Sequence, residues 1–169
     1  MNDKRAHRLT IEPLTAAAFK PFGEVIDTSG DHITINAGFA RRFNDLCGVE
    51  TAEGGQTNVS IFVARARALP LEVGMMERHP LGSQAFMPLQ NSPWLVIVCT
   101  DPDDPTSYRA FAATGTEGVN YARNTWHFPL VTFADGDRFL VVDRKGPGNN
   151  LEERFLSEAR LIVHTRDNP

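Results

Sequence analysis

Short apolar or alternating runs, cut off by Gly, Pro or Asp at intervals of roughly ten residues, set the tightest limit on what this chain can fold into. Asn58–Arg65, Glu72–His79, Ser83–Leu89, Trp94–Thr100, Tyr108–Ala113, Phe128–Phe133, Arg138–Asp143 and Arg160–His164 each read as a strand. Pro80 ends the second run, and Leu81-Gly82 turns the chain into the third. Asp101-Pro-Asp-Asp-Pro105, Asp135-Gly136-Asp137 and Gly146-Pro-Gly148 are loops. Helical signal is confined to Thr15–Lys20, capped by Thr15 and stopped by Pro21, and to a possible single turn at Leu151–Ser157. No repeat, linker or low-complexity tract divides the chain, so residues 1–169 are expected to form one all-β domain, a jelly roll or related β-barrel with one or two short helices.

A chain of 169 residues buries a substantial core. Its formal charge of −4 argues against nucleic acid, which demands a concentrated basic face. The cations are scattered, so an anionic ligand would be held by one or two individual arginines. Cys99 lies in an apolar strand and reads as a buried free thiol, while Cys47 has no neighbouring base or resolving partner. No signal-peptide core precedes the first strand and no segment approaches the length of an apolar membrane span, so a soluble, cytoplasmic protein is expected.

Two segments carry chemistry: Glu77-Arg-His-Pro-Leu-Gly-Ser-Gln84 and Gly118-Val-Asn-Tyr-Ala-Arg-Asn-Thr-Trp-His-Phe-Pro-Leu130. His79 and His127 are too far apart for one hairpin but within reach of two strands meeting in a barrel. In an extended strand Glu77 and His79 share a face with Met75 and Val73, and Arg78 points away. Gln84 opens the next strand and can reach the same cavity. Trp126 and Phe128 point opposite to His127, into the other layer. Trp94, Trp126 and Phe128 suit either a dimer surface or the core.

The two-segment frame is similar to that of the cupins, whose first motif reads His-x-His, four residues, Glu, and whose second supplies a further His. Glu77-x-His79, four residues and Gln84 fall on the first motif, and Thr125-Trp-His127 on the second. Glu replaces the first His, and Gln the Glu. More specifically, residues 77–88, residues 118–130 and Phe139–Arg144, with Pro21–Ile26 and Ile35–Phe39, resemble the bacterial ureidoglycolate lyases over nearly the whole chain. The resemblance implies a cupin-like barrel, usually a homodimer, that splits (S)-ureidoglycolate into glyoxylate and urea during allantoin breakdown, with nickel as the associated metal.

That chemistry suits the residues. The substrate carries hydroxyl, carboxylate and ureido nitrogen on one carbon. A base must take the hydroxyl proton as the C–N bond breaks, and an acid must protonate the leaving nitrogen. Glu77, His79 and His127 are the candidates for this acid/base work. The same three with Gln84 are the candidate ligands for a divalent ion. Arg123 is favoured to hold the substrate carboxylate, with Arg65 a second candidate, and Asn120, Tyr121 and Gln84 to bind the rest of the substrate. Two other functions use the same residues. Two His and one carboxylate form the ligand set of a non-haem-iron cupin dioxygenase, and a barrel without turnover would be a sensor of a small oxo-acid such as glyoxylate.

Overall fold

The computed structural model describes residues 7–156 and the backbone of 161–164. Strand β1 (His7–Pro13) is followed by α1 (Ala16–Phe19), β2 (Gly23–Ile26), and the hairpin β3 (Ile33–Ile35) and β4 (Ala40–Arg42). Then come β5 (Gln56–Val63), β6 (Leu71–Val73), β7 (Met75–Arg78), β8 (Gln84–Pro88), β9 (Trp94–Cys99) and β10 (Tyr108–Ala113). Strands β11 (Gly118–Tyr121), β12 (Trp126–His127), β13 (Val131–Thr132), β14 (Arg138–Lys145), β15 (Glu152–Phe155) and β16 (Leu161–His164) complete the order. Thr15 caps α1 through a hydrogen bond from the Ala18 N–H, as its sequence indicates.

The larger sheet runs β15-β7-β12-β9-β10-β1-β16-β6, with β13 also on β9; the smaller runs β2-β11-β8-β14-β5. The architecture is all-β and cupin-like, built from two facing sheets and not from one closed cylinder. The unbroken apolar run of β9 explains the layering. Trp94, Val96 and Val98 pack against Phe86, Val119, Phe139 and Val141 of the smaller sheet. Leu95, Ile97 and Cys99 point the other way, into a second core with Val73, Met76, Tyr108, Phe128 and Val131. A strand buried on both faces has no polar alternation to show.

The structure departs from the expected strands at definite residues. Glu72–His79 is not continuous: Gly74 separates β6, which pairs with β16, from β7, which pairs with β12 and β15. The break resets the alternation, so Val73 joins Met76 in the second core and does not share Glu77's cavity. Pro129, which has no N–H for a ladder, divides the expected Phe128–Phe133 strand and leaves β12 and β13 on either side. Leu151–Ser157 forms no helical turn where described; β15 occupies it, paired along β7, and Ser157 lies outside the described residues, as does Arg160. Trp94 and Phe128 are buried in the two cores, and Trp126 is half-buried against the second of them.

Candidate active site

At one end of the smaller sheet, every strand that lines the inter-sheet space exchanges apolar side chains for polar ones. Along β14, Phe139 and Val141 give way to Asp143; along β8, Phe86 gives way to Gln84; along β11, Val119 gives way to Tyr121. Period-two alternation keeps each of these on the inward face. Opposite them, the larger sheet delivers Glu77 from β7 and His127 from β12. These two are directly paired across the antiparallel ladder, which brings residues 50 positions apart (77 to 127) into side-by-side contact. His79 follows the end of β7 with the parity of Glu77. The three-residue cluster of Glu77, His79 and His127 has ligand atoms all within 4.8 Å of one another.

The cluster sits in a cavity of about 600 Å³ that also presents Gln84, Tyr121, Phe62, Phe86, Trp94 and Phe128. Three of the side chains are fixed by their neighbours. The His127 ring is buried, stacks on Tyr121 at 4.1 Å and 10°, and turns Nδ1 to the Thr125 carbonyl at 2.9 Å. A carbonyl only accepts, so Nδ1 carries the hydrogen and Nε2 faces the cavity. Nε2 lies 3.4 Å from Glu77 Oε1, an ion-pair distance without the alignment of a hydrogen bond, and has no other partner. His79 turns Nδ1 to the Asn150 carbonyl at 2.7 Å and Nε2 to Gln84 Oε1 at 3.1 Å. Gln84 is oriented in turn: its amide donates to Asp143 at 3.4 Å, and Asn58 donates to the other Asp143 oxygen at 2.9 Å. Asn150 therefore orients His79, and Asp143 orients Gln84.

The charges are arranged to keep Glu77 ionised. Burial pushes its carboxyl up, but the polar contact with His127 and the charges of His127 and His79 outweigh that and hold it below the ordinary glutamate range. Burial and then the Glu77 charge push the Tyr121 hydroxyl up, so it stays a neutral phenol.

Arg123 and Asn120 do not line this cavity. The chain turns at Asn124, with φ 67°, so strand parity with His127 does not reach Arg123. Its Nε donates to the Pro80 carbonyl, and it lines a separate groove beside Phe22, Cys99 and Trp126. Asn120 precedes Tyr121 on β11 and so faces outward, donating to Glu24 at 2.9 Å and to the Gly48 carbonyl at 2.9 Å. Arg65 does line the cavity, and so does Arg67, which was not singled out in the sequence.

The donor set fits a divalent ion in part. Glu77 and the bare Nε2 of His127 are available, and both imidazoles have Nδ1 anchored to a carbonyl, the usual support for a ligand ring. Ligation by His79 requires its Nε2 to leave the Gln84 carbonyl.

Two facing sheets with an ionised carboxylate and two oriented imidazoles at the floor of an apolar-walled cavity define a small-molecule enzyme of acid/base or metal-assisted type. The sequence profile of the ureidoglycolate lyase family matches residues 6–164, and the chain belongs to that family. It is 51% identical over 160 residues to the ureidoglycolate lyase of Pseudomonas syringae pv. syringae (strain B728a), covering 92% of this chain and 94% of the relative. The ureidoglycolate lyase of Azotobacter vinelandii is 50% identical over 161 residues, covering 92% and 97%. That of Pseudomonas putida (strain W619) is 51% identical over 159 residues, covering 92% and 95%.

Proposed function

We propose that this protein is a ureidoglycolate lyase that cleaves (S)-ureidoglycolate to glyoxylate and urea in allantoin degradation. The observation that carries the reading is the Glu77–His127 pair across one ladder, with His79 beside it, in a chain about half identical to relatives bearing that name. Glu77, held ionised, takes the hydroxyl proton; the electron pair of that O–H bond forms the aldehyde C=O as the C–N bond breaks. An imidazole N–H supplies the proton that the urea nitrogen acquires. His79 suits this donor role, because both of its ring nitrogens face oxygens that accept. His127, stacked on Tyr121, keeps Glu77 charged and aimed. Gln84 holds His79, and Tyr121 borders the bound ureido group from the cavity wall. Acid/base assistance of this type is worth about 10²–10⁴-fold.

Glu77, His127 and, once freed from Gln84, His79 would hold a divalent ion. Nickel is the family expectation, and imidazole-rich sites suit it. Such an ion would act as a Lewis acid toward the hydroxyl and carboxylate oxygens. The same triad would serve a non-haem-iron dioxygenase, but the relatives' names do not favour that chemistry.

A homodimer is part of the proposal. It is supported by the outer face of edge strand β5, where Val59 is 64%, Ile61 44% and Val63 67% exposed beside Leu140 and Val142 of β14. The two free thiols support a cytoplasmic setting. The net charge of −4 disfavours a nucleic-acid partner, and no helix among the described residues is long and apolar enough to cross a membrane.

Incubating the purified protein with (S)-ureidoglycolate, anaerobically and with or without chelator, should yield equal glyoxylate and urea. No glyoxylate above the uncatalysed rate in any condition sinks the reading. Oxygen-dependent turnover would point to a dioxygenase, and ammonia in place of urea to an amidohydrolase.

A further inference from the structure

The cavity holds the Glu77 carboxyl among its lining groups, and the proposed substrate brings a carboxylate of its own. Holding that carboxylate calls for a cation in the cavity, and Arg123 is turned away on the Pro80 carbonyl in a separate groove. The cations that line the cavity are Arg65 and Arg67, in the segment leaving β5. This segment is in no strand, but its backbone is tied at every residue but Arg65. Ala64 N donates to the Asp137 carbonyl at 2.8 Å and its own carbonyl accepts from Gly136 N at 2.9 Å. Ala66 N donates to Asp135 Oδ1 at 2.8 Å, and Arg67 N to the Thr132 carbonyl at 2.8 Å. One oxygen of the Asp135 carboxylate is thus engaged by backbone. The Arg67 guanidinium lies 5.0 Å over the Phe128 ring, a cation–π seat. Among the described residues, the ion pairs formed by arginines are those of Arg78, Arg109 and Arg154, so neither cavity arginine is neutralised by a carboxylate.

Resting on the lyase reading of the cavity, we infer that Arg67, with Arg65 beside it, is the carboxylate-binding element of this site. A rigid backbone with a stacked guanidinium suits a two-point grip on a planar carboxylate. With the carboxylate held at the cavity mouth, the substrate carbon and its hydroxyl extend toward Glu77.

The test uses Arg67→Ala, Arg67→Lys, Arg65→Ala and the double alanine variant of the intact chain. Kinetics with (S)-ureidoglycolate are measured alongside calorimetric titration of oxalate, a carboxylate that cannot turn over. Both side chains are exposed, so thermal melts should match the parent. Arg67→Ala should raise KM and weaken oxalate by about 10- to 100-fold, the loss falling on KM more than on kcat. Lysine should restore only part of the affinity, and the double variant should be weakest. Unchanged KM and oxalate affinity in the double variant would overturn the inference while leaving the lyase reading intact. Arginine-dependent oxalate binding in a protein that never releases glyoxylate would do the reverse.

Discussion

Arg144→Met should cost about 3–6 kcal/mol of stability and disable the site without touching it. The side chain lies on the outer face of β14 but is only 7% exposed, because residues 50–55 and 146–148 fold over it. Its guanidinium donates to three backbone carbonyls: Ala52 at 2.9 Å, Glu53 at 3.3 Å and Pro147 at 2.7 Å. Hydrogen bonds to a charged group contribute about 1.5–3 kcal/mol each. Counting the two short ones fully, and the long one as replaceable by water, gives the stated range. Methionine preserves much of the packed volume, so the loss reports the polar contacts and not a cavity. In a domain of this size 1 kcal/mol shifts the melting midpoint by about 2–4 °C, so the variant should melt roughly 6–24 °C lower. The loop that Arg144 holds continues to Asn150, whose carbonyl takes the His79 Nδ1–H and whose side chain takes the Leu81 N–H at 2.7 Å. Turnover at a temperature where the variant is still folded should therefore fall as well. Urea titrations of parent and variant followed by far-ultraviolet circular dichroism measure the first effect. A difference below 1 kcal/mol would refute the three-carbonyl staple.

Four other expectations have equally direct checks. Glu77→Gln, which keeps shape and removes the proton acceptor, should lower kcat by about 10²–10⁴-fold with little change in fold by circular dichroism; a kcat within tenfold of the parent would remove Glu77 from the base role. Burial pushes the Cys99 thiol up to about 12, so iodoacetamide at pH 8 should label at most Cys47 in the native protein and both thiols in urea. Because the folded protein keeps that proton after the unfolded chain has lost it, stability should decline as pH rises from about 8.5 toward 12, and Cys99→Ala should blunt the decline. Val59→Lys with Val63→Lys should convert a dimer to monomers in light scattering; dimers that persist would place the interface elsewhere.

What could be read from the sequence followed the strength of the local pattern. The all-β class, the buried β9 and the Thr15 cap were legible because each is a property of contiguous residues. So was the opposition of Trp126 and Phe128 to His127, since alternation fixes it. The short β2 and β11 carried too little periodicity to stand out and were visible only as motifs, while the β3–β4 hairpin was marked only by the motif Ile35–Phe39 across its turn. Gly74 and Pro129 broke strands whose flanks looked continuous, and the first of these moved Val73 into a different core.

Site residues divide along the same line. Glu77, His79, Gln84, Tyr121 and His127 share one cavity because strand parity and motif spacing both survive folding. Arg123 was misplaced for the reason that Asn124 turns the chain, and Asn120 because one residue's difference in parity is a difference of sheet face. Asn150 and Arg67 had no local signal, and Asp143 only its place at a strand end, where a salt bridge or turn cap was the simpler reading. Each acts through a partner far off in sequence: Asn150 on His79, Asp143 on Gln84, and Arg67 above Phe128. The residues that line the cavity were thus legible as a short motif, while those that hold them were set by which strands happen to be neighbours. That asymmetry makes Gln84 informative. In the sequence it looks like a weakened metal ligand, whereas its hydrogen bonds make it the link by which Asp143 steers His79, a role for which an amide, with one donor and one acceptor end, is better suited than a carboxylate.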